Sequence, residues 1–214
     1  MTSAEIQIAS KDVFIKGDLT LPKDPCGAVL FAHGSGSGRK SSRNRSVAAS
    51  LNARRLATLL IDLLTEEEED AERFSAHLRF DIALLADRLR SATGFLAKNE
   101  NTAGLPLGYF GASTGAGAAL VAAADNPHVK AIVSRGGRPD LAGAALHQVK
   151  APTLLLVGSL DQVVIGLNQK ALDELRCEKQ LTIVPGASHL FEEPGKLDEV
   201  ARLAGEWFVR WLCA

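Results

Sequence analysis

Leu105-Pro106-Leu107-Gly108-Tyr109-Phe110-Gly111-Ala112-Ser113-Thr114-Gly115-Ala116-Gly117-Ala118-Ala119-Leu120 is the stretch on which the fold turns. Leu105 to Phe110 is a short apolar run of the kind that forms a buried strand, stopping at Gly111. Ala116 to Ala124 is small and apolar and predicts a helix. Between them lies a GxSxG pentapeptide. In a strand–turn–helix setting that pattern places a serine on a sharp, strained turn, with its hydroxyl projecting beyond the carboxyl end of a sheet. That end is where open α/β sheets bind their ligands. The pentapeptide alone would fit an ordinary glycine-rich turn; the strand before it and the helix after it give it weight.

The same alternation runs outward in both directions. Upstream, Ile6, Ile8, Val13, Ile15, Leu19 and Leu21 predict two antiparallel strands turning near Ser10-Lys11-Asp12, and Pro22 and Pro25 end the pair. Ala28 to Ala32 predicts a buried strand running into the glycine-rich loop His33 to Gly38. A helix is expected over Val47 to Arg55, a strand over Ala57 to Ile61, and a long helix from about Phe80 to Lys98. The acidic run Glu66 to Asp70 reads as a solvated loop or a first helical turn. Downstream come a strand over Val129 to Val133, a short helix over Leu141 to Gln148 and a strand over Thr153 to Val157. A helix over Asn168 to Leu175, a strand over Leu181 to Val184 and a closing helix over Leu197 to Leu212 complete the chain. This order predicts one α/β domain over residues 1–214, doubly wound on a mostly parallel sheet. Neither an internal repeat nor a low-complexity linker breaks it.

Composition agrees with that class. The chain has 214 residues, 46% hydrophobic, 23% charged and only 5% aromatic, with 19 glycines. The core must be built from small aliphatic residues, as suits helices on a parallel sheet. The formal net charge is −1, which argues against a nucleic-acid partner needing a basic face. No apolar run approaches the roughly 18 residues that span a bilayer. The N-terminal residues lack the apolar core of a signal peptide, and Asn44-Arg45-Ser46 matches a glycosylation sequon only by chance. Cys26, Cys177 and Cys213 form an odd, unpatterned set that suggests a reducing compartment and no disulfide framework. A cytoplasmic address and a small-molecule substrate are the expectations; the oligomeric state is left open.

A serine hydroxyl needs a base, and the base an orienting carboxylate. His189 follows the last predicted strand, on a loop at the same end of the sheet as Ser113. His33 sits inside the glycine-rich loop, where a structural role suits it; His77, His128 and His147 lie in or beside helices. Asp161 follows the strand Thr153 to Val157 and completes the chain order serine, acid, histidine. The lesser alternative for Asp161 is a cap for the next helix. Asp140 is the rival acid, although its place after Pro139 also suits a cap. The oxyanion that develops during acyl transfer needs backbone N–H donors. Thr114, next after the serine, is one; Ser35 in the loop after the strand Ala28 to Ala32 is the other, with Gly36 as alternative. A phosphate cradle fits that loop poorly, because it lacks the GK[ST] ending and does not match GxGxxG.

His33-Gly34-Ser35-Gly36, Gly111-Ala112-Ser113-Thr114-Gly115, Asp161 and His189 together resemble the α/β-hydrolase superfamily. Phe31 to Gly38 and Arg135-Gly136-Gly137-Arg138-Pro139-Asp140-Leu141 resemble its dienelactone hydrolase-like branch. The resemblance runs from about Ile6 to Trp211. It implies a sheet of about eight strands and hydrolysis of an ester-type bond without metal or organic cofactor. Dienelactone hydrolase itself uses a cysteine where this chain has Ser113, so the implied activity is the broader one: a serine hydrolase of a small ester, thioester or lactone. Only about twenty residues separate Val133 from Thr153, too few for a helical lid, which disfavours long acyl chains. Arg39, Lys40, Arg43, Arg135 and Arg138 fall near the catalytic end; Arg39, Arg135 and Arg138 are candidates to grip an anionic substrate. Surface charge, or pairing with Glu66 to Asp70, is the plainer account of them. A non-catalytic binding protein of the same fold and a peptidase acting on short peptides are the alternative functions.

Overall fold

β1 (Thr2–Ser10) and β2 (Val13–Leu21) form an antiparallel hairpin in which Ser10 faces Val13. Lys11 takes the left-handed conformation that so tight a turn demands. The computed structural model that shows this describes residues 1–75 and 77–213. β2 lies antiparallel on β4 (Leu56–Ile61), and every further pairing in the sheet is parallel. With β3 (Gly27–Ala32), β5 (Leu107–Ala112), β6 (Val129–Arg135), β7 (Thr153–Gly158) and β8 (Lys179–Val184), the described residues form one eight-stranded sheet. Its order is β1-β2-β4-β3-β5-β6-β7-β8.

The central strands are buried on both faces, and their alternation divides the core in two. Along β3, Val29 and Phe31 point into a cluster built with α1 (Ser42–Ala53) and α6 (Lys196–Leu212). Ala28, Leu30 and Ala32 point the other way, into a cluster shared with α3 (Ile82–Lys98) and α4 (Thr114–Ala124). Phe31 and Phe110 stack across neighbouring strands with ring centroids 4.8 Å apart. This continuous apolar character is what a parallel sheet covered on both faces requires. α2 (Glu66–Ser75), α5 (Gln162–Glu174) and 3₁₀ turns at Leu78–Phe80 and Pro139–Gln148 complete the layers.

The predicted α/β-hydrolase topology therefore holds; the departures are at element ends. α1 begins at Ser42, well before Val47, because Ser41 caps it and its first turns are polar. α5 begins at Gln162 rather than Asn168, with Asp161 as its cap. The acidic run is helical: Glu66 to Glu69 occupy the first turn of α2, where the helix dipole favours them. The short helix before β7 is a 3₁₀ segment kinked at Gly143. It leaves the carboxyl edge of the sheet without a lid.

The cysteine expectation is corrected. Cys26 and Cys213 are joined in a disulfide that ties the start of β3 to the end of α6, across 187 residues of sequence. Only Cys177 is a free thiol among the described residues. The argument from sparse cysteines to a reducing compartment therefore fails, since partners so distant in sequence carry no local spacing pattern. Among the described residues, no helix is long and apolar enough to cross a membrane.

Candidate active site

β3 is flanked by β4 on one side and β5 on the other. The chain winds outward in both directions from this point, so the loops leaving β3 and β5 part and open a crevice at the carboxyl end of the sheet. Ser113 stands there at φ 49° and ψ −122°, a backbone state that a non-glycine residue occupies only under constraint. The constraint is visible on all sides. The Ser113 N–H donates to the Arg135 carbonyl at 3.2 Å, and its own carbonyl accepts from Ala116 at 3.1 Å and Arg138 at 3.0 Å. The flanking glycines leave no room for a side chain: a Cβ on Gly111 would lie 2.4 Å from the Ala116 Cα, and one on Gly115 would lie 2.3 Å from the Ala32 carbonyl oxygen.

His189 and Asp161 reach the same rim from β8 and β7. The His189 Nδ1–H donates to Asp161 Oδ2 at 2.6 Å, which leaves Nε2 as the basic nitrogen. The other Asp161 oxygen accepts from the Val164 N–H at 3.4 Å, so the residue caps α5 and holds the histidine at once. The two loops are laced together: Leu160 donates to the Ala187 carbonyl at 3.0 Å, and Gly186 donates to Ser159 Oγ at 2.8 Å. Both oxygens of Glu193 accept from the Ser188 N–H at 3.1 Å, and bonding to Ser188 holds that carboxyl below its usual range. Gly136 links the two halves of the site. It directly follows the residue that receives the Ser113 N–H, and a Cβ on it would lie 3.6 Å from His189 Cε1. No hydrogen bond joins Ser113 Oγ to His189 in this arrangement. Such bonds are commonly loose before substrate arrives.

The rival acid is not at the site. Asp140 forms a two-point pair with Arg138, at 2.8 and 2.7 Å, and caps nothing. The other histidines are also accounted for or remote. His33 is buried, donating from Nδ1 to the Gly34 carbonyl and accepting the Leu63 N–H at Nε2, each at 2.9 Å. Burial pushes it below its ordinary pKa. His147 bonds the Glu174 carbonyl on the surface. His77 and His128 are exposed and lie outside helices and strands.

Two expectations about the surroundings are overturned. The Ser35 N–H, expected as the second oxyanion donor, already donates to Thr114 Oγ1 at 2.9 Å. The arginines do not form an anion grip. Arg39 is consumed by three carboxylates, with Glu5 and Asp62 each at 2.8 Å and Asp18 at 2.5 Å. Arg138 is taken by Asp140. Arg135 is buried beneath the site, 3.4 Å from the Leu190 carbonyl, with its guanidinium 6.0 Å above the Phe191 ring. Burial without a carboxylate lowers its pKa to about 10. Lys40 joins the Arg39 cluster through Asp18, and Arg43 pairs with Glu192. The cavity beside the Ser37–Gly38 turn, of about 610 Å³, is lined by Asp62, Glu66, Glu67 and Glu69, and its character is acidic. Most of this was not open to the sequence, because the partners of Arg39, Lys40 and Arg43 come from distant elements; the Arg138–Asp140 pair alone is local. Thr114 was named for its backbone alone; its side chain at the position after the serine was the available signal.

A profile described as the Dienelactone hydrolase family matches residues 27–211. The crystal structure of dienelactone hydrolase from Anabaena variabilis is 57% identical, covers 99% of this chain and 98% of its own, and superposes with a TM-score of 0.96. A lidless α/β serine hydrolase from Xanthomonas campestris shares the fold at a TM-score of 0.79 and 20% identity, over 99% of this chain and 96% of its own. Two proteins from strains of Mycobacterium tuberculosis, named as candidate phosphoribosyl transferases, are 60% identical over 210 residues. That match covers 98% of this chain, which spans 46% of the length of those relatives.

Proposed function

The chain belongs to the dienelactone hydrolase family, a family of α/β-fold hydrolases, and from that premise we propose that it is a serine hydrolase of small esters, thioesters or lactones. Ser113 Oγ attacks the carbonyl carbon while its proton passes to His189 Nε2. Asp161 holds the imidazole in the tautomer that accepts this proton and stabilises the imidazolium that results. The carbonyl electron pair moves onto oxygen, beside the first N–H groups of α4, which have no partner within the helix. On collapse the pair returns, the leaving group departs with the proton from His189, and water repeats the sequence on the acyl-enzyme. The observation that carries this reading is the 2.6 Å bond from His189 to Asp161, on the same rim as a serine held at positive φ. The open rim favours short acyl groups. Arg39 and Arg138 are held by carboxylates and Arg135 is buried, so an anionic substrate is not proposed. The transferase name of the mycobacterial relatives belongs to chains of which less than half is matched here, and it is not carried over.

A fluorophosphonate probe tests the proposal. Wild-type protein should be labelled at Ser113 alone, and Ser113→Ala should abolish labelling with an unchanged thermal midpoint. Undiminished labelling of Ser113→Ala would mean that another residue is the nucleophile. A folded wild type that takes no label would favour a binding protein of the same fold.

A further inference from the structure

The Thr114 side chain directly follows the nucleophile in the chain and meets the glycine-rich loop after β3. Thr114 is 3% exposed, and its Oγ1 accepts the Ser35 N–H at 2.9 Å. A threonine hydroxyl has one proton to give as well as lone pairs to receive with. Among the described residues, the Thr114 hydroxyl proton has no acceptor. Thr114 begins α4, so its backbone N–H is also without a partner inside the helix. One residue therefore presents two unspent donors next to the nucleophile. The loop bearing Ser35, Gly34 and Gly36 closes a small recess over Thr114.

We propose that the Thr114 side-chain hydroxyl is a further oxyanion donor beside the backbone N–H of the same residue: the hydroxyl donates to the negatively charged oxygen, and the Ser35 N–H acts through that hydroxyl. The inference rests on Ser113 being the nucleophile. As Ser113 Oγ bonds to the carbonyl carbon, the carbonyl π pair moves onto oxygen. The hydroxyl proton of Thr114 turns toward that oxygen as a hydrogen-bond donor and stays on Thr114. The Ser35 N–H fixes Oγ1 in place and polarises the O–H bond, so the hydroxyl is a better donor than an isolated one. No proton changes hands at this centre, and the hydroxyl is ready before the charge develops, which is when such a donor contributes most.

The geometry also admits an opposite role, in which the hydroxyl merely blocks the Ser35 N–H until it is moved aside. The two make opposite predictions for Thr114→Val, which keeps the β-branched shape and deletes the hydroxyl. If the hydroxyl donates, kcat for p-nitrophenyl acetate and the rate of fluorophosphonate labelling should each fall about 10²-fold, the scale for one lost oxyanion donor, with KM little changed. Thr114→Ser should recover most of that loss, and Thr114→Ala should match valine if valine misfolds. Rates in Thr114→Val equal to or above wild type would overturn the proposal, as would a loss that serine fails to restore at an unchanged thermal midpoint. Ser113→Ala in parallel separates the two levels. If it is inactive while Thr114→Val is not, the hydroxyl's role falls and the nucleophile stands. If Ser113→Ala keeps full hydrolysis, the nucleophile itself is misassigned.

Discussion

The two ends of the parallel strands are built by different rules. At the carboxyl end, Ser113 is held at positive φ, Thr114 keeps a donor unspent, and the loops after β7 and β8 are joined by hydrogen bonds. At the amino end, the Cys26–Cys213 disulfide ties the last helix to the first parallel strand. Arg210 lies 4.7 Å above the Trp211 ring nearby, and Trp211 also walls an apolar cavity of about 750 Å³ with Leu96, Leu105 and Pro106. The polar end keeps groups available for a reaction, and strain there is tolerated because the strands beneath it are buried on both faces. The other end contributes connection and burial. If this division is real, substitutions at the first end should change rate without stability, and substitutions at the second should do the reverse.

Asp161 offers the largest contrast. Asp161→Asn should lower kcat by up to about 10⁴-fold at neutral pH, the scale known for the corresponding change in a serine protease. The amide favours the wrong imidazole tautomer and leaves the imidazolium without a counter-charge. The fold should hold, because asparagine caps a helix as well as aspartate does. Asp140→Asn weakens a partly exposed pair with Arg138; it should cost at most about 1 kcal/mol and leave kcat alone. Steady-state rates and thermal midpoints of the two variants decide. Activity lost in Asp140→Asn and retained in Asp161→Asn, both folded, would place the acid after the wrong strand.

The disulfide tests the other end. Closing a loop of 187 residues removes unfolded-state entropy equivalent to about 5 kcal/mol at most. Cys213→Ser should therefore lower the thermal midpoint by up to roughly 10–20 °C in a chain of this size, while kcat measured well below that midpoint stays at the wild-type value. A fall in kcat without a fall in midpoint would show that α6 communicates with the rim and would end the division proposed above.

What the sequence disclosed follows the same line. The placing of Ser113, Asp161 and His189 at one edge was legible because each follows a strand within a few residues, and parallel strands end at the same edge of the sheet. The hairpin and the strand order of alternation were legible from period and punctuation. The fate of Arg39 was not, since Glu5, Asp18 and Asp62 come from three separate elements. Nor was the use of the Ser35 N–H by Thr114, a contact between residues 79 apart. Pairing of Cys26 with Cys213 depends on where two chain ends meet in space, on which composition is silent. Helix starts were misjudged at α1, where polar first turns obscure the apolar stripe, and at α5, where the β-branched run Val163-Val164-Ile165 before Gly166 does not read as helix.

The smallest effect concerns His33, which stands at the catalytic end but is used structurally. Its Nε2 accepts the Leu63 N–H, so the ring must be neutral to hold the loop after β3 against the loop after β4. Burial is the main influence lowering its pKa from the ordinary 6.5; the Gly34 carbonyl, Asp62 and Glu69 oppose it more weakly. The sign then follows. Above about pH 6.5 the ring is neutral in both the folded and the unfolded chain, and the contribution to stability is intact. As pH falls below that value the unfolded chain binds a proton that the folded chain refuses, so folding stability declines until the folded ring itself is protonated. His33→Gln removes this proton-linked step. The variant should be less stable than wild type at pH 7.5, and the gap should narrow at pH 5, because only wild type loses the His33 contribution on acidification. Denaturant unfolding of both proteins at the two pH values measures the difference, and the remaining four histidines, common to both, cancel. A gap that is the same at pH 5 as at pH 7.5 would mean that His33 is protonated alike in the folded and unfolded chains, and that its buried bond to Leu63 does not depend on a neutral ring.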